Sequence, residues 1–271
     1  MSAYEGAEGL GVELDGRVLR VTLDRSDKRN ALTDGMIAAL TNAVDAAGRD
    51  ETVRVIVLAA RGEHFCSGFD IVSRNAATGD GTRPRAGSIQ RRLPSQAHRL
   101  VPVLVETQTP IVARVQGWTA GIGLVLALAA DFAVATTDAR FYMPFVDRGF
   151  TPDSGATWLL PRRIGETRAR EMLLLGRVVD GAEASSWGLV HRIVTPDELD
   201  AAVDDVVAKL ASSATVALGL TKWLLHRGRE ASLRDQLHSE AFAMELSSRS
   251  EDFREGLAAF QEKRDPDFKG R

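Results

Sequence analysis

Cysteine is nearly absent from this sequence, which has only Cys66 among its 271 residues. A single cysteine cannot form an intramolecular disulfide, and no group of cysteine and histidine residues has the spacing of a zinc site. We therefore expect a protein without a bound metal ion, suited to a reducing compartment. Only His64 lies near Cys66 in the sequence, so we interpret this cysteine as a small packed side chain rather than a nucleophile.

An excess of charge of one sign is also missing. The 34 lysines and arginines and the 37 aspartates and glutamates give a formal net charge of −3, which excludes a general attraction to nucleic acid or to an anionic membrane. The longest apolar run, residues 121–135, is interrupted by Asp131 before it reaches membrane-spanning length. The first ten residues lack the basic start and apolar core of a signal peptide. We expect a globular, cytoplasmic protein.

The common nucleotide and hydrolase motifs are absent as well. The sequence contains no GxGxxG, no GxxxxGK followed by Ser or Thr, and no GxSxG. It therefore lacks the usual support for a dinucleotide site, a nucleoside triphosphatase or an α/β-hydrolase. The five histidines are scattered along the chain, and we assign none of them a catalytic role.

What the sequence does contain is an alternation of strand and helix patterns. Asp15-Gly16 lies between two runs in which apolar and polar residues alternate, a strong signal for a β-hairpin. Thr33 then precedes a helical pattern as its expected N-cap, and the β-branched run at 53–60 is typical of a strand. This order predicts an α/β fold.

The same alternation continues through the middle of the chain. We predict a long mixed helix near 88–107, a strand at 110–117, a short helix from about residue 121 and a strand at 131–136. The segment 74–88 is rich in Gly, Arg, Thr and Pro without any periodicity, and we interpret it as a mobile loop.

The part of the chain after Pro161 is mostly helical in pattern. Residues 196–211, 215–229 and 233–264 all show apolar residues at a spacing of about 3.6 residues. No repeat of fixed period and no low-complexity tract is present, which excludes a solenoid and a disordered tail.

Two glycine-bearing turns are the first candidates for chemistry. HFCSGFD (64–70) and GWTAGIG (117–123) each follow an expected strand and lead towards an expected helix. Their backbone N–H groups can converge on an anion, and two such turns side by side would form an oxyanion hole. The alternative is that these glycines only allow tight packing between strand and helix.

Asp153 is the second candidate. It stands in TPDSGATWLLP, just before an apolar run, where an aspartate often caps a helix by accepting hydrogen bonds from free backbone N–H groups. The sequence around it leaves two interpretations open: a structural N-cap, or a carboxylate that takes part in catalysis.

Five segments appear in the order in which they occur in one known family. They are DRSDKRNAL (24–32), HFCSGFD (64–70), VQGWTAGIGLVLALAADF (115–132), EASSWGLVHRIV (183–194) and EGLAAFQEKRDPDF (255–268). On these motifs the chain resembles the crotonase, or enoyl-CoA hydratase/isomerase, superfamily along nearly its whole length. The resemblance implies a crotonase-like ββα spiral core, residues 1–195, and a C-terminal helical trimerisation region, residues 196–271. A homotrimer or homohexamer is implied.

The resemblance also implies an acyl-CoA thioester as substrate, with no cofactor other than the CoA that the substrate carries. The thioester oxygen would lie between the N–H groups of Phe69 and Ile122. The two glutamates that activate water in the family's hydratases are replaced by Val125 and Phe145. Asp153 falls where several branches have a catalytic aspartate, and its surroundings most resemble the ring-epoxyphenylacetyl-CoA and related enoyl-CoA isomerases.

This resemblance favours a catalytic Asp153 that shifts a double bond. Alternatives remain: Asp153 as a nucleophile, hydration of a 2-enoyl-CoA, or a non-catalytic acyl-CoA-binding protein. Lys28 and Arg29 are candidates for the CoA phosphates, and Phe260 and Lys263 resemble residues that contact CoA from a neighbouring subunit. The remaining substrate-binding positions implied by the resemblance are Ala31, Cys66, Gly68, Asp70 and Gly121.

Overall fold

A six-stranded sheet forms the centre of the fold, in the strand order β1-β2-β3-β4-β6-β9. The computed structural model describes residues 4–71, 86–95 and 97–271. β1 pairs with β2 in antiparallel orientation, and the other four neighbouring pairs of this sheet are parallel. The strands are β1 (Leu10–Asp15), β2 (Val18–Leu23), β3 (Val55–Ala60), β4 (Ile111–Val115), β6 (Phe132–Thr136) and β9 (Arg192–Val194).

The opening hairpin and the first helix form as the sequence predicts. Gly16 adopts φ +57°, the backbone conformation that a tight two-residue turn requires. Oγ1 of Thr33 accepts a hydrogen bond of 3.2 Å from the Met36 N–H and caps α1 (Asp34–Ala47). Both predictions are confirmed.

A second, smaller sheet pairs β5 (Trp118–Ala120), β7 (Arg140–Tyr142) and β8 (Val179–Asp180). These strands are two or three residues long, too short to produce a recognisable alternation in the sequence. Only two residues separate the end of β4 from the start of β5, so the chain passes from one sheet directly to the other. β5 lies within the second glycine-bearing segment, and Gly121 and Gly123 follow its end.

Helices pack against both faces of the main sheet. The helices that follow α1 are α2 (Ser88–Arg92), α3 (Ala97–Glu106), α4 (Ile122–Ala129), α5 (Ala156–Leu174), α6 (Gly181–Trp187), α7 (Leu199–Ala211), α8 (Thr215–Arg227), α9 (Leu233–Ser247) and α10 (Glu251–Glu262). α5 contains a kink at Gly165, whose φ and ψ of 78° and 162° are not helical.

The prediction of one long helix near 88–107 is wrong, because this segment forms two helices. α2 ends at Arg92, and a 3-10 turn, Leu93–Ser95, follows it before α3 begins. Pro94 lies in this turn and lacks the N–H that a continuous helix needs. Most of the segment interpreted as a mobile loop, residues 74–85, lies outside the described residues.

The helical pattern at the C-terminal end is confirmed, with one interruption. Residues 233–264 form two helices rather than one, because α9 ends at Ser247 and α10 has its own N-cap at Ser250. The Ser250 hydroxyl accepts a hydrogen bond of 3.0 Å from the Phe253 N–H, so a serine cap separates the two helices.

Alternate residues of β3 pack on opposite faces of the main sheet. Ile56 and Leu58 belong to the main core, which also includes residues of α1, α3, α4 and α5. Val55 and Val57 belong to a second cluster with Val203 and its neighbours on α7. α7 therefore covers one face of the sheet. The division of the chain into a core, residues 1–195, and a C-terminal helical region, residues 196–271, stays a prediction, and α7 belongs to the second of these.

Across the described ranges, none of the helices combines the length and the apolar character needed to span a bilayer.

Candidate active site

The segment 24–32 is fastened to the loop after β3 by a buried asparagine. Nδ2 of Asn30 donates to the carbonyl oxygens of Arg61 and His64, at 2.9 and 2.8 Å, and Oδ1 accepts from the Arg25 N–H at 2.8 Å. Asn30 adopts φ +55° and Arg29 φ +49°, a left-handed backbone that asparagine tolerates better than most residues. This clamp fixes the segment beside the first glycine turn.

The first glycine turn is held in place by main-chain hydrogen bonds from that segment. The Leu32 N–H donates to the Gly68 oxygen at 2.8 Å, and the Asp70 N–H donates to the Leu32 oxygen at 2.9 Å. The Ser67 N–H donates to the Arg29 oxygen at 3.0 Å. Phe69 is half-buried in the middle of this turn, where Leu32 is its bridge partner.

The second glycine turn lies directly against the first. The Ala120 N–H donates to the Cys66 oxygen at 2.8 Å, and Cys66 and Thr119 form a parallel β-bridge. A Cβ atom added to Gly121 would lie 3.8 Å from Cα of Gly68. The structure therefore brings the two turns together, as an oxyanion hole requires.

Ile122 is the first residue of α4, so its N–H points away from the helix. Within the described part of the chain, no oxygen accepts a hydrogen bond from it. Gly121, the N-cap, has φ +54°, which only glycine adopts easily. That the N–H groups of Phe69 and Ile122 share one carbonyl oxygen stays a prediction.

Asp153 is half-buried and does not cap a helix. α5 begins at Ala156, its N-cap is Gly155 with φ +82°, and no side chain forms a cap hydrogen bond there. The interpretation of Asp153 as the N-cap is wrong, because a glycine in the left-handed region turns the chain into the helix instead.

The Asp153 carboxylate has one engaged oxygen and one that is open. Oγ of Ser154 donates to Oδ1 of Asp153 at 2.7 Å. Among the described residues, the side-chain hydrogen bond to this carboxylate is made at Oδ1, and none is recorded at Oδ2. Nε2 of His98, on α3, lies 2.7 Å from the main-chain oxygen of Asp153.

A cavity of about 980 Å³ opens beside this turn. Its wall includes Ser154 and Gly155 from the turn, His98 and Val101 from α3, Trp158 from α5 and His226 from α8. The described lining contains neither Phe69 nor Ile122. The convergence of Asp153 and both glycine turns on one pocket therefore stays a prediction.

Val125 and Phe145, the two apolar replacements, are both buried, with exposed fractions of 0% and 4%. The Phe145 ring packs edge-on against Phe150 at a centroid distance of 5.5 Å. Neither side chain can donate or accept a proton, so neither can activate water.

Cys66 is buried between the two turns. Burial in an apolar surrounding raises the pKa of its thiol to about 12. The thiol therefore stays protonated at neutral pH, as expected for a packed side chain rather than a nucleophile.

The predicted CoA contacts fall into two groups. Lys28 and Arg29 are exposed and adjoin the first glycine turn. Phe260 and Lys263 are also exposed and belong to the C-terminal part of the chain. In that part, the main-chain oxygen of Phe268 accepts a hydrogen bond from Arg54, which lies just before β3. Among the described residues, no hydrogen bond joins Phe260 or Lys263 to either glycine turn.

Two side chains near the candidate site were missed in the sequence. Arg25 donates to the Ala31 oxygen at 2.7 Å and forms an ion pair of 3.0 Å with Asp70. His98 contacts Asp153 across 55 residues of sequence. No local signal marks the contact of Arg25 with Asp70 or that of His98 with Asp153, because each depends on how distant segments pack.

Comparison with known proteins identifies the family. The family model described as enoyl-CoA hydratase/isomerase matches residues 13–271. The chain is 35% identical over 254 residues to the 1,2-epoxyphenylacetyl-CoA isomerase of Escherichia coli, covering 94% of this chain and 95% of the relative. It is 33% identical over 259 residues to the 2,3-dehydroadipyl-CoA hydratase of the same organism, covering 94% and 96%.

A solved structure of an enoyl-CoA hydratase from Bacillus anthracis has the same fold. The TM-score is 0.89 at 29% identity, and the match covers 97% of this chain and 100% of that one. The crotonase fold implied by the motifs is thereby confirmed. With a family model that matches almost its full length, the chain belongs to the enoyl-CoA hydratase/isomerase family.

Proposed function

We propose that this protein shifts a carbon–carbon double bond in an acyl-CoA thioester, with Asp153 as the base. The observation that carries the proposal is the arrangement of the Asp153 carboxylate. It is half-buried, it does not cap α5, and Ser154 holds Oδ1 while no described residue donates to Oδ2. Oδ2 is therefore available to accept a proton.

The reaction needs one base and one place for negative charge. In a 3-enoyl thioester, Asp153 takes a proton from C2, and the electron pair of that C–H bond spreads over the conjugated system onto the thioester oxygen. The same carboxyl group then returns the proton to C4 and leaves a 2-enoyl thioester. One carboxyl group moving one proton out and back balances the reaction.

The main-chain N–H groups of Phe69 and Ile122 stabilise the negative charge on the thioester oxygen. The contact between the two glycine turns supports this role. Fixed donors of this kind typically contribute about 3–4 kcal/mol to the stability of the transition state. Because they are main-chain groups, the side chains at these positions matter less than the turns.

The buried Val125 and Phe145 support isomerisation over hydration. Apolar side chains at these positions would exclude water and leave the carboxylate poorly solvated, which makes it a stronger base. Hydration is the second candidate function, because one relative is named a 2,3-dehydroadipyl-CoA hydratase. It would require another group to activate water.

Binding of CoA is assigned to the exposed side chains of Lys28 and Arg29 beside the first turn. Their positive charges suit the phosphates of CoA. Ala31, Cys66, Gly68, Asp70 and Gly121 are proposed to shape the thioester end, with Arg25 holding Ala31 and Asp70 together.

The C-terminal helices supply the argument for an oligomer. Phe242 and Phe260 are 73% and 84% exposed, and Leu233, Leu246 and Leu257 are also exposed. So many large apolar side chains on one region mark an interaction surface. We place a second and third copy of this chain on it, as a trimer or a pair of trimers, with Phe260 and Lys263 reaching the CoA of a neighbouring copy. Light scattering that finds a stable monomer at micromolar concentration would contradict this assembly.

A panel of CoA thioesters tests the proposed activity. We expect turnover with a 3-enoyl-CoA or a ring-epoxide CoA and poor water addition to a 2-enoyl-CoA. Hydration of crotonyl-CoA at about 10 s⁻¹ or faster, an ordinary enzyme rate, would instead support the hydratase. Binding of all the thioesters without turnover would support a non-catalytic acyl-CoA-binding protein.

A further inference from the structure

We infer that His98 is a positioning residue for Asp153: it holds the turn that carries the base. This inference rests on the proposed function and extends it to a side chain on a separate helix. Nε2 of His98 lies 2.7 Å from the main-chain oxygen of Asp153. A carbonyl oxygen only accepts, so Nε2 carries the hydrogen and donates it.

The residues that follow Asp153 are buried, with Ser154 and Ala156 1% and 0% exposed, whereas Asp153 itself is half-buried and receives its hydrogen bond from another element through His98. No side chain caps α5, and Gly155 at φ +82° begins the helix without one. The Ser154 hydroxyl that holds Oδ1 belongs to the neighbouring residue, so it moves with the turn. It orients the carboxylate within the turn, but it does not fix the turn relative to the rest of the molecule.

α3 provides a firm base for that contact. Leu100 and Leu104 of α3 are fully buried in the main core, so the helix cannot shift without disturbing the packing. Val101 lies one helical turn after His98, on the same face. Its Cγ1 is 3.5 Å from the position of a Cβ on Gly155. The helix therefore meets the turn at two points.

The imidazole of His98 can be replaced without disturbing the core. His98 is exposed, whereas the buried side of α3 consists of other residues. A glutamine at this position places an amide N–H at about the distance of Nε2, because its side chain is of similar length. A leucine has a similar size and no donor.

The expected consequence is a loss in the proton-transfer step. A shift of about 1 Å in a reacting group can lower a rate about a hundredfold. Substrate affinity should change little, because it depends on contacts to CoA and to the thioester oxygen rather than on Asp153. We therefore expect an effect on kcat and little change in KM.

The experiment compares four proteins: wild type, His98→Leu, His98→Gln and, as a control, Arg99→Ala, which changes the exposed neighbour on the same helix. Isomerisation of a 3-enoyl-CoA is measured with thermal unfolding of each protein. We expect His98→Leu to lower kcat about ten- to hundredfold with KM within about threefold. His98→Gln should recover most of the rate, and Arg99→Ala should match wild type.

Two results would overturn this inference and leave the proposed function standing. In the first, wild type isomerises the thioester and His98→Leu is equally active. In the second, His98→Leu and His98→Gln lose activity equally. If His98→Leu does not fold, His98→Asn takes its place, since its shorter amide falls short of the oxygen and should also lower kcat. A wild type that binds the thioester and does not isomerise it would instead overturn the proposed function, and this inference with it.

Discussion

Gly123 and Cys66 are in direct contact at the junction of the two glycine turns. A Cβ atom on Gly123 would come within 2.5 Å of the Cys66 oxygen and 2.6 Å of its Cβ. That oxygen already accepts the Ala120 N–H at 2.8 Å, so it cannot retreat without breaking the bridge between the turns.

Gly123→Ala should therefore destabilise the protein and separate the turns. Overpacking of this kind typically costs about 1–3 kcal/mol, measured as the free energy of unfolding in urea. The matched control is Gly35→Ala in α1, where the nearest atom to the new methyl group would be 3.8 Å away. The control should change stability by less than about 1 kcal/mol. Equal stability of the two variants would mean that the junction adapts to a methyl group.

Ile122→Pro tests the main-chain donor of the second turn. Proline is well tolerated as the first residue of a helix because that N–H has no partner within the helix, and Ile122 holds this position in α4. The variant removes the N–H and should lower turnover about 10²–10³-fold. Ile122→Val keeps the N–H with a side chain of similar size. A proline variant that folds, by circular dichroism, and turns over like the valine variant would show that this donor is not used.

Asp153→Asn should strongly lower isomerisation without unfolding the protein. Asparagine has the size of aspartate but cannot accept the proton, so turnover should fall about 10²-fold or more, with thioester affinity within a few-fold. Melting temperature should hardly change, because Asp153 makes no cap. Asp15→Asn, an exposed position in the hairpin, serves as control. Full activity in Asp153→Asn would exclude Asp153 as the base.

Cys66 should be unreactive in the folded protein. Its pKa is raised to about 12 by burial, and its side chain is not exposed. A thiol reagent such as DTNB should modify it at pH 8 only after denaturation in guanidinium chloride.

The same shift in pKa predicts a pH dependence of stability. Below the ordinary thiol pKa of about 9, the thiol is protonated in both states and stability is unaffected. As the pH rises from 9 towards 12, the unfolded chain loses this proton and the folded chain keeps it, so the free energy of unfolding falls. Replacement by alanine should make this fall smaller in denaturation curves above pH 9, while the raised pKa of Tyr4 still contributes to it. An unchanged curve would mean that other groups cause it.

Five of the six strands of the main sheet could be predicted because each carries its own pattern, whereas β9, with only three residues, was not predicted. The hairpin at Gly16, the cap at Thr33 and the β-branched run of β3 are local signals, and each corresponds to an observed element. The break between α2 and α3 is a 3-10 turn at Leu93–Ser95, which the apolar periodicity across 88–107 does not reveal. The small sheet was missed because its strands of two and three residues gain their stability from pairing with distant segments.

The candidate site divides in the same way. The glycine turns were visible because each contains its own glycines. The residues around Asp153 left a helix cap and a catalytic carboxylate open, and the structure removes the cap, because Gly155 in the left-handed region begins α5 instead. The contact from His98 to Asp153 spans 55 residues and depends on the packing of α3, which no local pattern reveals.

The two glycine turns present main-chain groups rather than side chains, and this affects how the protein can change over time. Almost every codon change leaves an N–H in place, so a function performed through those groups resists point mutation, with proline the exception. By contrast, the contributions proposed for Val125, Phe145 and Asp153 depend on their side chains, which a single substitution can replace. A chain built this way can keep one way of holding a carbonyl oxygen while single substitutions elsewhere redirect which reaction follows.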